Sequence, residues 1–201
     1  MVDKFANSAK EYDNKVKQQR NVADMAKSIV EAIKLDKSHE ILDFGAGSGL
    51  LTKELSPYVK KITAVDISPS MLEILASKSF DCEVELLERD LVAKPLEKQF
   101  DAIVSSMTLH HISDIPHLLK HFFDALHSGG RIALCDLYPE DGSFHSADTG
   151  VAHLGLDPNE LVKFLESVGF CDIKVTDSVI INKQQGQYPT FVVSAEKLKE
   201  S

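Results

Sequence analysis

Five short apolar runs, at residues 40–44, 62–66, 83–87, 102–105 and 131–136, are separated by stretches with helical patterning, such as Ile115, Leu118, Leu119, Phe122 and Leu126 after Asp114. Parallel neighbouring strands need a long right-handed crossover, and their helices must cover the sheet, so strict alternation leaves few folds open. The pattern predicts an α/β chain with a mainly parallel, doubly wound sheet and helices on both faces. Before the first strand, Val22, Met25, Ala26, Ile29 and Ile33 step by three and four along one helix face. Near the other end, Asp157, Pro158 and Glu160 mark a helix start, Leu161, Phe164, Leu165 and Val168 its apolar face, and Gly169 its stop. Two further strand-like runs, 173–175 (extending toward 181) and 191–195, are joined by a polar stretch with no helix between them. They predict an antiparallel hairpin at the end of the sheet.

Composition narrows the function. A length of 201 residues suits one domain. A net charge of −9 repels a phosphate backbone, so a nucleic-acid partner is not expected. No run of about 18 apolar residues offers a membrane span. Cys82, Cys135 and Cys171 form no CxxC pair and fit a reducing compartment. With no basic stretch leading into an apolar one at Met1–Phe5, the expected location is cytoplasmic.

The most specific motif is Ile41-Leu42-Asp43-Phe44-Gly45-Ala46-Gly47-Ser48-Gly49, where an apolar strand turns into a helix near Leu50. Glycines there let backbone approach a ligand closely, at the edge where open α/β sheets bind their ligands. The second strand ends at Asp66, at the spacing of a carboxylate that accepts ribose hydroxyls; Ser68 is an equally good cap for the helix after Pro69. The third strand leads into Glu88-Arg89-Asp90-Leu91, where a carboxylate can accept from an adenine amine.

The Gly-x-Gly-x-Gly spacing, with Asp43, Asp66, Asp90, Phe100-Asp101-Ala102-Ile103-Val104 and Leu126-His127-Ser128-Gly129-Gly130-Arg131, resembles the class I S-adenosylmethionine-dependent methyltransferases over most of the chain. The resemblance implies a Rossmann-like, seven-stranded sheet with an antiparallel terminal strand. It implies one domain over residues 1–201, with 1–35 as N-terminal capping helices. The implied cofactor is S-adenosyl-L-methionine, leaving as S-adenosyl-L-homocysteine. Asp43, the backbone of Gly45, Ala46 and Gly47, and the turn at Gly49 would hold its methionine end. Asp66 would hold the ribose, with Ile67 and Met71 beside the adenine; Asp90 would meet the adenine amine and Leu91 pack on the ring. Ser105 and Met107 would line the sulfonium, and Tyr12 would fold over it, an aromatic face against a cation.

The acceptor is left to the histidines. Of the 8 in the chain, all but His39 fall between His110 and His153. Methyl transfer to a hydroxyl or protonated amine needs a positioned proton acceptor, and imidazole is the natural one near neutral pH. His110 and His111 follow the fourth strand, and His145 and His153 flank Gly150 in the long stretch between Leu137 and Leu156. His111, His145 and His153 are the expected catalytic residues, with His117, His121 and His127 as helix or turn residues. A metal set could be assembled from His111, His145, His153 and Asp136, but no spacing demands it and no metal is expected. The segment after the fourth strand, Ser105-Ser106-Met107-Thr108, lacks the Asn/Asp-Pro-Pro-aromatic pattern for holding planar nitrogens, so a small-molecule acceptor is expected. Two other classes share the strand, glycine turn and ribose carboxylate: an NAD(P)-dependent oxidoreductase and a non-catalytic S-adenosylmethionine-binding regulator.

Overall fold

The structure, a computed structural model, describes residues 16–145 and 150–199. The elements run α1 (Val16–Ile33), β1 (Glu40–Phe44), α2 (Leu50–Leu55), β2 (Lys61–Asp66), α3 (Pro69–Ala76), β3 (Glu83–Glu88), β4 (Phe100–Ser106), α4 (Ile115–Asp124), β5 (Leu126–Leu137), α5 (Pro158–Val168), β6 (Phe170–Asn182) and β7 (Gln187–Lys197). All seven strands form one sheet in the order β3-β2-β1-β4-β5-β7-β6. β1 pairs in parallel with β2 and β4, and β4 with β5, while β7 runs antiparallel between β5 and β6. The antiparallel terminal strand expected from the sequence is therefore present, inserted one place in from the edge.

Period-two alternation divides the core between the two faces of the sheet. Leu42 and Phe44 of β1 join Ile103, Phe122, Leu165 and Phe191 under α4 and α5. Ile41 joins Ile29, Leu55, Ile62 and Val104 under α1 and α2. Met25, Ala26, Ile29 and Ile33 of α1 are all buried, the face read from their spacing. The caps fall where side-chain chemistry put them: Asp114 accepts from the His117 N–H, Asp157 from Asn159, and Gly169 closes α5 at φ 111°. Asp66 is not the cap of α3; Ser68 is, accepting from the Met71 N–H. No described helix is long and apolar enough to cross a membrane.

This topology reverses direction between β1 and β4, and the loops that follow these two strands meet at the carboxyl edge. The Thr108 hydroxyl, just after β4, lies 3.1 Å from the Ser106 carbonyl and 3.4 Å from the Gly45 carbonyl.

Candidate functional site

The loop after β1 is held by bonds back into β2. Gly45 and Ala46 donate their N–H groups to the Val65 carbonyl at 2.9 and 3.0 Å, and Gly47 donates to Asp66 Oδ2 at 2.7 Å. Asp66 Oδ1 accepts the Ser68 N–H at 2.9 Å. The three N–H groups are thus all used within the protein.

The Asp43 side chain is buried, Oδ2 accepts from the Thr52 hydroxyl at 2.6 Å, and Oδ1 has no hydrogen-bond partner among the described residues. Burial pushes the Asp43 carboxyl up to about 7, with the Thr52 bond opposing and the Asp66 charge reinforcing. A buried carboxylate oxygen with no partner among the described residues, beside the glycine loop, fits the α-amino group of a methionine moiety.

The raised Asp43 value has a consequence for stability. Between pH 4 and 7 the folded protein keeps a proton that the unfolded chain has lost, so this group lowers stability as pH rises through that window. Asp43→Asn keeps an acceptor for Thr52 and removes the charge. It is expected to stabilise the cofactor-free protein by about 1–3 kcal/mol at pH 8, and by less at pH 5. Urea midpoints at the two pH values check this; an advantage independent of pH would show that the Asp43 charge is not its source.

The remaining cofactor candidates divide. Ile67 is 53% exposed beside Asp66, while Met71 and Leu91 are buried. Asp90 Oδ1 accepts from the Val92 and Ala93 N–H groups, closing the turn after β3. Met107 leaves β4 with φ 58°, a strained value for a side-chain-bearing residue, pinned by its N–H bond to the Cys135 carbonyl. Ser105 departs from expectation: it lies inside β4, fully buried, and its hydroxyl donates to the Phe44 carbonyl at 2.8 Å. It joins β4 to β1 from within the sheet and does not line a pocket. Tyr12 and residues 1–15 of the expected N-terminal cap lie outside the described residues.

The histidines regroup. His110 and His111 sit on a single turn, Leu109–His111, directly after Thr108. Their ring centroids are 4.3 Å apart, and His145 lies 5.2 Å from His110 and 5.6 Å from His111. His110 is 1% exposed; its Nδ1 meets Asp136 Oδ1 at 2.6 Å, and its backbone N–H donates to Asp136 Oδ2. A carboxylate at that distance requires Nδ1 to carry a proton, which leaves the Nε2 lone pair on the far side of the ring.

His145 is brought in by the β6–β7 turn. Lys183 Nζ donates to the Phe144 carbonyl at 2.6 Å and stands 3.3 Å above its ring, and the Ser143 and Tyr188 hydroxyls are 2.6 Å apart. Burial first, then the neighbouring His110 and His111, pushes the His145 imidazole down to about 4, so it is neutral at pH 7.

His153 does not join them. Its Nε2 donates to the Ile112 carbonyl at 2.9 Å, and its backbone N–H bonds to the His110 carbonyl, so it fastens the long loop to the turn that carries His110. His121 is also more than a solvated helix residue: Nδ1 lies 2.8 Å from the Leu91 carbonyl and ties α4 to the turn after β3. Asp136 and His110 are the pair that spacing alone did not find. The signal was present in the adjacency of β4 and β5, whose carboxyl ends carry them.

Comparison with known proteins agrees with this geometry. A family described as a methyltransferase domain matches residues 16–173. An uncharacterized methyltransferase of Schizosaccharomyces pombe is 30% identical over 67% of this chain and 54% of its own length. A malonyl-[acyl-carrier protein] O-methyltransferase of Ilyobacter polytropus is 33% identical over 64% of this chain and 48% of its own. The chain thus spans about half the length of these curated relatives. Among solved structures, a Haloferax volcanii methyltransferase in complex with the Trm112 activator superposes with a TM-score of 0.80 at 15% identity, covering 99% of this chain and 98% of that one. Phosphoethanolamine N-methyltransferase 2 of Haemonchus contortus, with phosphomonomethylethanolamine and S-adenosylhomocysteine, gives 0.71 at 16% identity over 87% of this chain and 52% of that one. Sheet order and sequence match converge, and the chain belongs to the methyltransferase-domain family, whose methyl donor is S-adenosylmethionine.

Proposed function

We propose that the chain transfers a methyl group from S-adenosylmethionine to a small molecule bearing an ionisable O–H or N–H group. The observation that carries this reading is the orphaned Asp43 oxygen beside the glycine loop, next to a histidine cluster on the same sheet edge.

When bound, S-adenosylmethionine supplies an electrophilic methyl on a sulfonium. Asp43 and the loop carbonyls would hold its amino group. Asp66, at the end of β2, would hold the ribose hydroxyls. Exposed Ile67 would cover one side of the adenine, and Asp90 would accept from its amine. Met107 is held at the mouth by its backbone bond. On the acceptor side stand His110, His111 and His145. Asp136 fixes the tautomer of His110, leaving its Nε2 lone pair on the far side of the ring. The net charge of −9 and the absence of a planar-nitrogen motif favour a small acceptor over nucleic acid.

Calorimetric titration with S-adenosylmethionine, S-adenosylhomocysteine and NADH tests the donor half. Saturable binding of the first two is expected. Binding of NADH alone would sink the reading. Asp66→Ala is expected to weaken S-adenosylmethionine binding by about 1.5–3 kcal/mol, the range for hydrogen bonds to a charged group. A screen of metabolite extracts with radiolabelled methyl donor, comparing wild type with His111→Ala and His145→Ala, then identifies the acceptor half.

A further inference from the structure

We infer that His110, His111 and His145 form a binding site for a divalent transition-metal ion of the zinc type, with Asp136 holding His110 from behind. One ligand atom from each of the three imidazoles lies within 4.8 Å of those of the other two. The members come from two separate places in the fold, the turn after β4 and the loop after β5, so helical spacing did not bring them together by default.

The second observation is the state of His110. Its Nδ1 is taken by Asp136 at 2.6 Å, and its Nε2 is buried with no hydrogen-bond partner among the described residues. A ring nitrogen oriented by a carboxylate on one side, with an unfilled lone pair on the other, is the arrangement in which metal-ligating histidines are held. A buried acceptor left without a donor is rare in folded proteins, and an ion supplies what it lacks.

The geometry sets the chemistry of the ion. Zinc bonds of roughly 2.0–2.1 Å to nitrogen put tetrahedral ligand atoms about 3.3 Å apart, so the apo spacing closes by small rotations of the half-buried His111 and His145 rings. Three imidazoles with no thiolate and no carboxylate in the ligand set favour Zn(II), Co(II) or Ni(II) over Mg(II) or Ca(II). Lys183 is the cation that faces the group from the β6–β7 turn, and Asp136 is the anion that offsets it. Three protein ligands leave a fourth position open. Resting on the methyl-transfer reading, that position suits an anionic oxygen of the acceptor.

The full-length protein, stripped with a chelator and exchanged into metal-free buffer at pH 7.5, is titrated with Co(II) and read by visible absorption, and with Zn(II) by calorimetry. One equivalent is expected, with the intense visible bands of low-coordinate Co(II). His111→Ala and His145→Ala, checked for folding by circular dichroism, should each weaken binding at least 100-fold. Asp136→Asn should weaken it about 10–100-fold. His121→Ala removes the alternative surface pair, His117 and His121, whose rings stand 4.3 Å apart, and should leave binding unchanged. No saturable binding of Zn(II) below about 10 μM would overturn the assignment, as would binding that survives His111→Ala and His145→Ala together or is lost with His121→Ala. S-adenosylmethionine titration of the same stripped protein is a separate measurement, so failure of the metal site and failure of the donor site are told apart.

Discussion

Gly47→Leu protein is expected to fold and to lose S-adenosylmethionine binding by at least 100-fold. The three loop glycines all have positive φ, yet they are needed for different reasons. A Cβ at Gly45 would collide with Cγ2 and Oγ1 of Thr108. A Cβ at Gly47 meets nothing within 4 Å among the described residues. Gly45 is therefore small because Thr108 presses on it, whereas the proposed cofactor cradle is what a side chain at Gly47 would enter. Leucine at Gly47 bears the left-handed backbone penalty, about 1–2 kcal/mol, and fills that space. Alanine at Gly45 carries the same penalty plus a clash with the β1–β4 junction, so it should lower stability by roughly 3 kcal/mol or more. Denaturant unfolding and calorimetry on both variants separate the roles. Normal cofactor affinity in folded Gly47→Leu would show that the open space is not the cofactor cradle.

The contrast between these two glycines marks where sequence reading stops. Elements with a local cause were legible in the chain. Asp157, Pro158 and Gly169 bound α5 because capping and backbone freedom act within a few residues. The strand alternation and terminal hairpin led to the sheet because crossover rules leave few alternatives. Asp43, Gly47 and Asp66 stand at or just after strand ends whose order the topology dictates, so their meeting at one edge of the sheet follows from the same rules. What spacing did not carry was partner choice across the sheet. Ser105 lies on the β1 side of β4, and its hydroxyl bonds to Phe44, a residue 61 positions away. His153 is a catalytic candidate by its place in a long loop, yet a backbone carbonyl claims its ring. Two adjacent histidines, His110 and His111, give no sign in sequence of which one meets a carboxylate; β5 supplies Asp136, and it meets His110.

Asp136→Asn is expected to fold, to bind S-adenosylmethionine normally and to lose methyl transfer by about 10²–10⁴-fold. Three donors converge on this buried carboxylate: His110 Nδ1 at 2.6 Å and the Leu137 N–H at 2.7 Å reach Oδ1, and the His110 N–H at 3.2 Å reaches Oδ2. An amide cannot serve all three. With its oxygen at the Oδ1 position, its NH₂ faces the His110 N–H; flipped, the NH₂ faces Leu137 and drives His110 into the tautomer that places its proton on Nε2. Either outcome costs about 1–3 kcal/mol, and the second removes the lone pair that the acceptor side of the site uses. For a domain of this size that corresponds to a fall in Tm of roughly 3–10 °C. Asp136→Ala leaves all three donors unsatisfied in a buried place and should fall further, by about 3–5 kcal/mol. The discriminating readout is kcat against the Kd for S-adenosylmethionine once the acceptor is in hand. A positioning role predicts that Asp136→Asn lowers kcat while leaving that Kd unchanged. A purely structural role predicts loss of stability with an unchanged kcat in the fraction that remains folded. The carboxylate that fixes one imidazole therefore ties stability and chemistry together at this edge of the sheet, and the two variants measure each separately.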